Sequence, residues 1–289
     1  MKQTLLATIA TLGSSGTSIA EETRIVLPMS LGTGRPVISA MIDDHGPYTF
    51  TIDTGTSQYG MGSLNPAITE TLGRDPDNFV RVSSGPGSTP VEAPLFEIDS
   101  LVAGGQDFGS VSLMSFGAGP AARMTTDGLI GPSAFASHVT EFDYARGEFR
   151  ILDTPSVEPE RWIAFTDRAP MLFTTIEVGG IEMPTVIDTG APGALSVPQR
   201  YEDQLETDGP AERVGQVELI GRIMDIRRAP MEFMLEVSDA DFPLESIRFN
   251  PFRYANIGSG ALRGTTLIID WPNERWAIIG ESTPHYFQP

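Results

Sequence analysis

Short runs of apolar residues, bounded by glycine, proline and polar turns, recur along this chain. The first half contains such runs at 24–31, Val37–Ile42 and Tyr48–Ile52, and the turn Asp43–Pro47 separates the last two. Turn-forming residues are frequent, with 30 glycines and 23 prolines, and no long helical periodicity interrupts the pattern. The pattern predicts a β-rich protein with many turns, in which a hairpin delivers the residue after Ile52 to a loop.

Runs in both halves of the chain end in the same three residues. An Asp-Thr-Gly motif at 53–55 follows the run Tyr48–Ile52, and a second motif at 188–190 follows Met183–Ile187. A single copy is an ordinary strand end, in which the aspartate caps a turn. Two matched copies indicate a shared chemical role more strongly than either copy alone.

The two halves also match at later points. Residues 92–94 (Glu-Ala-Pro) correspond to 228–230 (Arg-Ala-Pro), soon after each aspartate. A later ungapped register aligns Gly131, Ala134, Phe135, Asp143, Tyr144, Phe149 and Ile151 with Gly258, Ala261, Leu262, Asp270, Trp271, Trp276 and Ile278. Matches at several points predict an internal duplication.

Two paired aspartates can perform a specific kind of chemistry. Two carboxylates held together in a poorly solvated site cannot both ionise cheaply, so they share one proton and titrate as a unit. One member then accepts a proton from water while the other donates one to a carbonyl oxygen. Asp53 and Asp188 are therefore the candidate catalytic residues.

The paired motifs resemble those of aspartic peptidases of the pepsin and retropepsin clan, which follow each motif with an apolar-apolar-Gly segment. Here those segments are 129–131 (Leu-Ile-Gly) and 256–258 (Asn-Ile-Gly). The resemblance implies an all-β, bilobal acid-protease fold of two related β-barrel lobes with short helices. It implies an N-terminal β-lobe at 21–152 and a C-terminal β-lobe at 169–289. The segment 153–168 between them is interpreted as a linker, with an ordered strand joining both lobes as the alternative.

The resemblance also assigns supporting roles around the two aspartates. Gly55 and Gly190 allow the tight loops that bring the carboxylates together, because a Cβ would crowd that approach. Thr54 and Thr189 are expected to hydrogen-bond across the two loops, with β-propensity as the alternative explanation. The segments that support the two loops are Ile130-Gly131 and Ile257-Gly258.

Two positions distinguish the two aspartate loops. Thr56 can donate a hydrogen bond to Asp53 and favour its ionised form, whereas Ala191 at the matching position cannot. We therefore expect Asp53 to be the more acidic member of the pair. Asn256 stands where an apolar residue is usual, and we expect it to weaken the packing behind the Asp188 loop.

Residues 83–90 form a run rich in glycine, proline and serine. The resemblance implies a hairpin flap over the cleft at this place, whereas the composition alone is also typical of a flexible loop. Flaps of the family often carry a tyrosine near the tip, and this run has none. In the second half, 216–226 form either a second hairpin over the cleft or a pair of barrel strands. The candidate flap residues are Ser84, Gly85, Pro86 and Gly87.

Composition argues against several other functions. The formal net charge of −19 disfavours nucleic acid and anionic membranes as partners. The chain has no cysteine, which excludes disulfides and thiolate metal sites, and its three histidines lie far apart in sequence, so we expect no metal and no cofactor. The local basic cluster of Arg222, Arg227 and Arg228 fits a solvated face better than a substrate-reading patch.

Residues 1–20 have the pattern of a secretory signal. Lys2 precedes a short apolar core at 5–12, and Ser18-Ile19-Ala20 fits a small-x-small cleavage site. We expect an exported, periplasmic or secreted monomer without a membrane span. The predicted activity is that of an aspartic-type endopeptidase acting on peptide or protein substrates. The main alternative is a non-catalytic peptide- or protein-binding module on the same fold, which the missing flap tyrosine and Asn256 favour.

Overall fold

The computed structural model describes residues 23–56, 62–82, 89–115, 125–155, 157–166, 171–219 and 222–284. The predicted signal segment 1–20 and the candidate flap residues Ser84, Gly85, Pro86 and Gly87 lie outside the described residues. Strands account for 56% of the structure and helical residues for 8%, and the strands form two sheets. This content agrees with the predicted all-β class.

The strands of the first half are β1 (Thr23–Pro28), β2 (Val37–Ile42), β3 (His45–Ile52), β4 (Gly62–Leu64), β5 (Asn78–Val82), β6 (Val91–Ile98), β7 (Leu101–Ala103), β8 (Gln106–Asp107), β9 (Val111–Ser115), β10 (Gly128–Ile130), β11 (Val139–Asp143) and β12 (Glu148–Leu152). Those of the second half are β13 (Ile163–Ala164), β14 (Leu172–Val178), β15 (Ile181–Asp188), β16 (Leu195–Pro198), β17 (Glu212–Leu219), β18 (Arg222–Val237), β19 (Asp239–Asn250), β20 (Ala255–Gly258), β21 (Thr266–Asp270) and β22 (Arg275–Glu281). The helical elements are α1 (Pro66–Leu72) and the 3-10 turns Pro132–Phe135, Pro159–Arg161, Gln199–Tyr201 and Trp271–Asn273.

The helix α1 has clear capping chemistry at both ends. The Asn65 side chain accepts a hydrogen bond from the Ala67 amide at 3.1 Å, and Pro66 occupies the first turn, where a helix needs no internal donor. Gly73 ends the helix in the left-handed conformation, with φ of 64°. The short helix therefore follows from local sequence alone.

The first half contributes a nine-stranded sheet in the order β5-β6-β9-β4-β10-β3-β2-β7-β8. Its central strand β3 is antiparallel to β2 and parallel to β10. Beyond β10, the strand β4 is antiparallel to β10 and parallel to β9. Because β3 leads directly into Asp53, this central position surrounds the strand before the first aspartate with paired backbone.

The second half repeats these pairings strand by strand. Here β15 is antiparallel to β14 and parallel to β20, as β3 is to β2 and β10. The strand β16 is antiparallel to β20 and parallel to β19, as β4 is to β10 and β9. The strand pairing therefore repeats in the manner that the matched sequence segments predict.

Two hairpins join the halves at the middle of the larger, 13-stranded sheet. β11 of the first half pairs antiparallel with β21 of the second, from Val139 opposite Asp270 to Asp143 opposite Thr266. The strand β1 covers the outer edge of β12, and β13 covers that of β22. Within the segment 153–168, the described residues include the two-residue strand β13, which pairs with β22 of the second half.

Apolar side chains fill the space beneath these hairpins. The rings of Phe135 and Phe142 lie 5.2 Å and 5.0 Å from the ring of Phe149, within the range of favourable aromatic contacts. Phe149 and Trp276, which the sequence register equates, are both 0% exposed. The repeated positions therefore bury their largest side chains in equivalent places.

The structure differs from the sequence-based elements in detail. One of the expected short helices is a 3-10 turn at Pro132–Phe135, and only residues 99 and 100 separate β6 from β7. Residues within 216–226 belong to the antiparallel pair β17 and β18, and β18 continues to pair with β19. The antiparallel pair of β17 and β18 is therefore continuous with the larger sheet.

Candidate active site

Strand pairing within the first sheet positions Asp53. Ile52 lies opposite Ile130 in the parallel pair of β3 and β10, and these side chains are 2% and 1% exposed. The amide of Asp53 donates a hydrogen bond to the carbonyl of Ile130 at 2.9 Å. Gly131 follows in a buried position. The Ile130-Gly131 segment thus lies directly beside the residue that it is predicted to support.

Asp188 is positioned by the equivalent pair in the second half. Ile187 lies opposite Ile257, and Asp188 lies opposite Gly258, in the parallel pair of β15 and β20. A Cβ on Gly258 would lie 2.6 Å from the carbonyl oxygen of Ala191, so only glycine fits against this loop. The predicted support from Ile257-Gly258 is therefore a direct backbone contact with the Asp188 loop.

Four hydrogen bonds of Thr54 and Thr189 tie the two loops together. The hydroxyl of Thr54 donates to the carbonyl of Ile187 at 2.8 Å and accepts from the amide of Thr189 at 3.0 Å. The hydroxyl of Thr189 donates to the carbonyl of Ile52 at 2.6 Å and accepts from the amide of Thr54 at 3.0 Å. Both threonines are buried, so every one of these polar groups is paired within the protein.

The two aspartates face each other across these loops. A Cβ on Gly55 would collide with the carboxyl group of Asp188, and a Cβ on Gly190 would collide with that of Asp53. The two carboxyl groups are themselves close enough for a hydrogen bond between them. Glycine at both positions is therefore a requirement of the approach of the two acids.

Each carboxylate accepts one backbone and one side-chain hydrogen bond. Asp53 accepts from the amide of Gly55 at 2.8 Å and from the hydroxyl of Thr56 at 3.0 Å. Asp188 accepts from the amide of Ala191 at 3.1 Å and from the side-chain amide of Asn256 at 2.5 Å. The two acids thus receive the same number of donors from different sources.

Asn256 has a role that the sequence did not indicate. Its side chain donates to Asp188 because β20 runs parallel beside β15, with Asn256 opposite Val186 at the end of the strand. The equivalent residue of the first half, Leu129, lies opposite Thr51. A polar residue at this position therefore supplies a contact that an apolar residue cannot make.

The surroundings of Asp188 favour its protonated form. Burial of the carboxyl group by the surrounding protein, followed by the negative charge of Asp53, raises the pKa of Asp188 to about 8. The hydrogen bonds from Asn256 and the Ala191 amide oppose that rise. The residue retains some exposed surface, so a small reactant can still reach it. The direction is that of a carboxyl group that keeps its proton near neutral pH.

A cation that the sequence did not reveal also lies at the pair. Nε of Arg35 donates to the carbonyl of Gly190 at 2.5 Å. Burial lowers the pKa of Arg35, while the charges of Asp53 and Asp188 both raise it. The guanidinium therefore contributes positive potential to both acids while it braces the second loop.

A further hydrogen-bonded chain supports the second loop from below. The hydroxyl of Ser259 donates to the carbonyl of Thr189 at 2.7 Å, and the hydroxyl of Tyr144 lies 2.9 Å from Ser259. Tyr144 directly follows β11, which belongs to the strands that join the halves. The position of the second loop therefore depends on the pairing between the halves.

A cavity of about 170 Å³ opens beside Asp188. Its walls include residues of the Asp188 loop, of β16, β18 and β19, and of the turn after β19. Among the residues that line it are Asp188, Ala191, Leu195, Ile226, Arg248 and Asn256. A substrate at the two acids therefore has room on the Asp188 side.

The structure brings together all of the predicted residues of the two loops and their supports. They are Asp53, Thr54, Gly55, Thr56, Ile130, Gly131, Asp188, Thr189, Gly190, Ala191, Ile257 and Gly258. Within the described ranges, no three His, Asp or Glu side chains converge as the ligands of a metal ion would. No helix in the same ranges has the length and apolar character needed to cross a membrane.

A comparison of the sequence with models of known protein families gives no match, and a comparison with curated proteins gives no significant relative. The geometry of Asp53 and Asp188, together with their surroundings, is therefore the feature of this protein that indicates a function.

Proposed function

We propose that this protein is an aspartic-type endopeptidase of the pepsin and retropepsin kind. The observation that carries the proposal is the mutual approach of the two acids. The carboxyl group of Asp53 lies against Gly190, and that of Asp188 lies against Gly55, so closely that a Cβ on either glycine would collide. A structural role in capping two separate turns does not require this approach.

In the proposed mechanism, the protonated acid is Asp188 and the ionised acid is Asp53. The pKa of Asp188 is raised by burial and by the charge of Asp53, which keeps the proton on this residue near neutral pH. The two donors to Asp53, the Gly55 amide and the Thr56 hydroxyl, stabilise a negative charge there. Asp53 therefore acts first as base and Asp188 first as acid.

Hydrolysis then proceeds in two proton-balanced steps. Asp53 takes a proton from a water molecule, whose oxygen attacks the peptide carbonyl carbon, while Asp188 gives its proton to the carbonyl oxygen. In the second step Asp53 donates its new proton to the amide nitrogen, and Asp188 recovers one from a hydroxyl of the tetrahedral intermediate. The C–N bond breaks, an acid and an amine leave, and the starting protonation returns.

The repeated strand pairing supports a bilobal acid-protease fold for this activity. Each half has a strand that delivers one aspartate and a parallel neighbour that delivers an Ile-Gly segment beside it. The hydrogen bonds between Thr54 and Thr189 then join the two loops. In this proposal each half is one lobe, and an extended peptide binds in the cleft between them.

The proposal also includes export and a monomeric state. The pattern at 1–20 supports removal of a signal and action in the periplasm or outside the cell. A single chain that already carries both aspartates needs no second copy to complete the site.

A cleavage assay tests the proposal. Wild type, Asp53→Asn and Asp188→Asn are incubated with a mixed peptide library from pH 3 to pH 8, and new termini are quantified. We expect each substitution to lower the rate about 10²–10⁴-fold, because each removes one of the two proton-transfer groups. The exposed Asp99 provides the control, and Asp99→Asn is expected to cleave like wild type.

Two results would oppose the proposal. Equal cleavage by wild type and both variants would show that the two acids do not carry the reaction. No cleavage by any protein, with peptide binding retained, would select the binding module instead. Asn256 no longer favours that alternative, because its side chain holds Asp188.

A further inference from the structure

The cavity beside Asp188 combines apolar walls with one strong cation. Leu195 and Ile226 contribute apolar surface, and Arg248 is the one cationic residue among the described residues that line it. A Cβ built on Gly193 would lie 3.3 Å from Nη1 of Arg248, which places the guanidinium against the loop that follows Asp188. The positive charge of Arg248 therefore belongs to the same opening as Asp188.

Strand register shows which polar groups accompany Arg248. It lies opposite Ser196 in the parallel pair of β16 and β19, and both residues line the cavity. Ser196 accepts a hydrogen bond from the side-chain amide of Asn250 at 2.9 Å. Its own hydroxyl proton is therefore available for donation to a ligand. Arg248 and Ser196 together form a pair of donors on one face.

The neighbouring basic residues divide between the two faces of β18. Arg227 donates to Glu202 at 2.9 Å and to the carbonyl of Ala211 at 2.7 Å. Arg228 points to the other face, which it shares with Ile226, and lies directly opposite Arg248 across the strand pair. Arg228 is half-buried there, on the face of β18 that carries one lining residue of the cavity.

Two like charges directly opposite each other destabilise a strand pair. Burial, followed by the charge of Arg228, lowers the pKa of Arg248. A carboxylate bound in the cavity would add a negative charge beside Arg248 and would so favour its cationic form. The arrangement is thus better matched to a ligand with a carboxylate than to a purely apolar side chain.

We propose that this cavity is a substrate subsite that binds a carboxylate through Arg248 and Ser196, an inference that rests on the proposed peptidase function. A glutamate side chain fits both parts of the site, because its methylene groups can contact Leu195 and Ile226 while its carboxylate reaches Arg248. The C-terminal carboxylate of a short peptide offers the same chemistry. The substrates of this enzyme are thus peptides with an acidic group on the Asp188 side of the scissile bond.

Matched peptides test the subsite. A peptide cleaved by the wild-type protein is resynthesised with Glu or Gln at each position flanking the cut, with both ends blocked. A second pair carries either a free or an amidated C-terminus at the same distance. We expect kcat/KM to be about 10- to 100-fold higher for the carboxylate member of one pair, as for a charge-assisted hydrogen bond. The pair that responds identifies the source of the carboxylate, and equal rates in both pairs overturn the proposal.

Substitutions then assign the preference to the cavity. Arg248→Met is expected to lower kcat/KM for the carboxylate peptide to the value of its Gln or amidated counterpart, so that the preference is lost. Arg248→Lys keeps the charge and is expected to retain part of the preference. Arg24→Gln removes an exposed arginine outside the cavity lining and serves as the control. A preference that survives Arg248→Met in a folded protein overturns the proposal.

Binding measurements separate failure of the subsite from failure of the peptidase function. The dissociation constants of the same peptides are measured by calorimetry with Asp53→Asn, which does not need to cleave them. Asp53→Asn should bind the carboxylate peptides more tightly, and the double variant of Asp53→Asn and Arg248→Met should lose this preference. That result supports the subsite even if no protein cleaves. Active cleavage without any preference, and equal binding of all peptides, overturns the subsite and leaves the peptidase function intact.

Discussion

The two aspartate loops are supported alike by the backbone and differently by side chains. Asp53 receives its side-chain donor from Thr56, three residues later in the same loop. Asp188 receives its donor from Asn256, which is 68 residues away in sequence and lies on the neighbouring strand. Duplicated scaffolds can thus reach the same number of hydrogen bonds by a local route in one half and a remote route in the other.

The two aspartate loops also differ in their contact with a cation. Arg35, from the first half, donates to Gly190 of the second loop, and among the described residues no equivalent arginine contact to Gly55 is present. Two acids with unequal surroundings are poised for unequal roles, one that holds a proton and one that accepts it. In the proposed mechanism, the asymmetry between the halves would set which acid starts as base.

The largest effect should come from removing the space between the loops. Gly190→Ala and Gly55→Ala each place a methyl group against the opposite carboxyl group. We expect activity to fall about 10²-fold or more, because catalysis is sensitive to displacements near 1 Å, and stability to fall by about 1–3 kcal/mol through overpacking. Rates and urea unfolding measure the two effects.

Gly215→Ala is the matched control, since a Cβ there meets no atom within 4 Å. If either Gly55→Ala or Gly190→Ala retained full activity, the two loops would not contribute equally to the approach of the two acids.

The next largest effect concerns the hydrogen bonds that the halves share. Thr54→Val or Thr189→Val leaves a buried amide and a buried carbonyl without their partner. We expect each variant to lose about 2–3 kcal/mol of unfolding free energy. The double variant should lose less than the sum, because the residues act on each other. Thr175→Val, at an exposed strand position, is the control in the same denaturation series.

The smallest expected effect concerns the two side-chain donors, Thr56 and Asn256. The donor of Asn256 favours the ionised form of Asp188, so Asn256→Leu should raise the pKa of Asp188 further. Because the active pair holds one proton, the alkaline limb of the pH–rate profile should move to higher pH. Thr56→Val removes the side-chain donor to Asp53 and should instead move the acid limb of the pH–rate profile. Identical profiles for wild type and both variants would remove the proposed role of these donors.

Much of the site could be predicted from sequence because its signals are local. Asp53 and Asp188 each follow an apolar strand, and the Ile-Gly segments at 130–131 and 257–258 pair with those strands in parallel. The reciprocal bonds of Thr54 and Thr189 were expected from the resemblance alone, and the structure contains all of them.

The remaining contacts depend on pairings that sequence does not display. Asn256 interrupts an apolar pattern, and that signal fits a packing defect as well as a donor until the register of β15 and β20 is known. Arg35 contacts a residue 155 positions away and belongs to no motif. Arg228 and Arg227 are neighbours in sequence, and only strand alternation separates the residue opposite Arg248 from the one paired with Glu202.

The proposed function requires Asp53 and Asp188 to titrate as one unit. Carbon-13 NMR of the aspartate carboxyl carbons measures this titration. In wild type we predict that Asp188 titrates with a pKa of about 8, because of burial and the charge of Asp53. In Asp53→Asn, where that charge is gone, the pKa of Asp188 should fall while burial keeps it above the ordinary value of 3.8. An ordinary titration of Asp188 in wild type, unchanged by Asp53→Asn, would contradict the account.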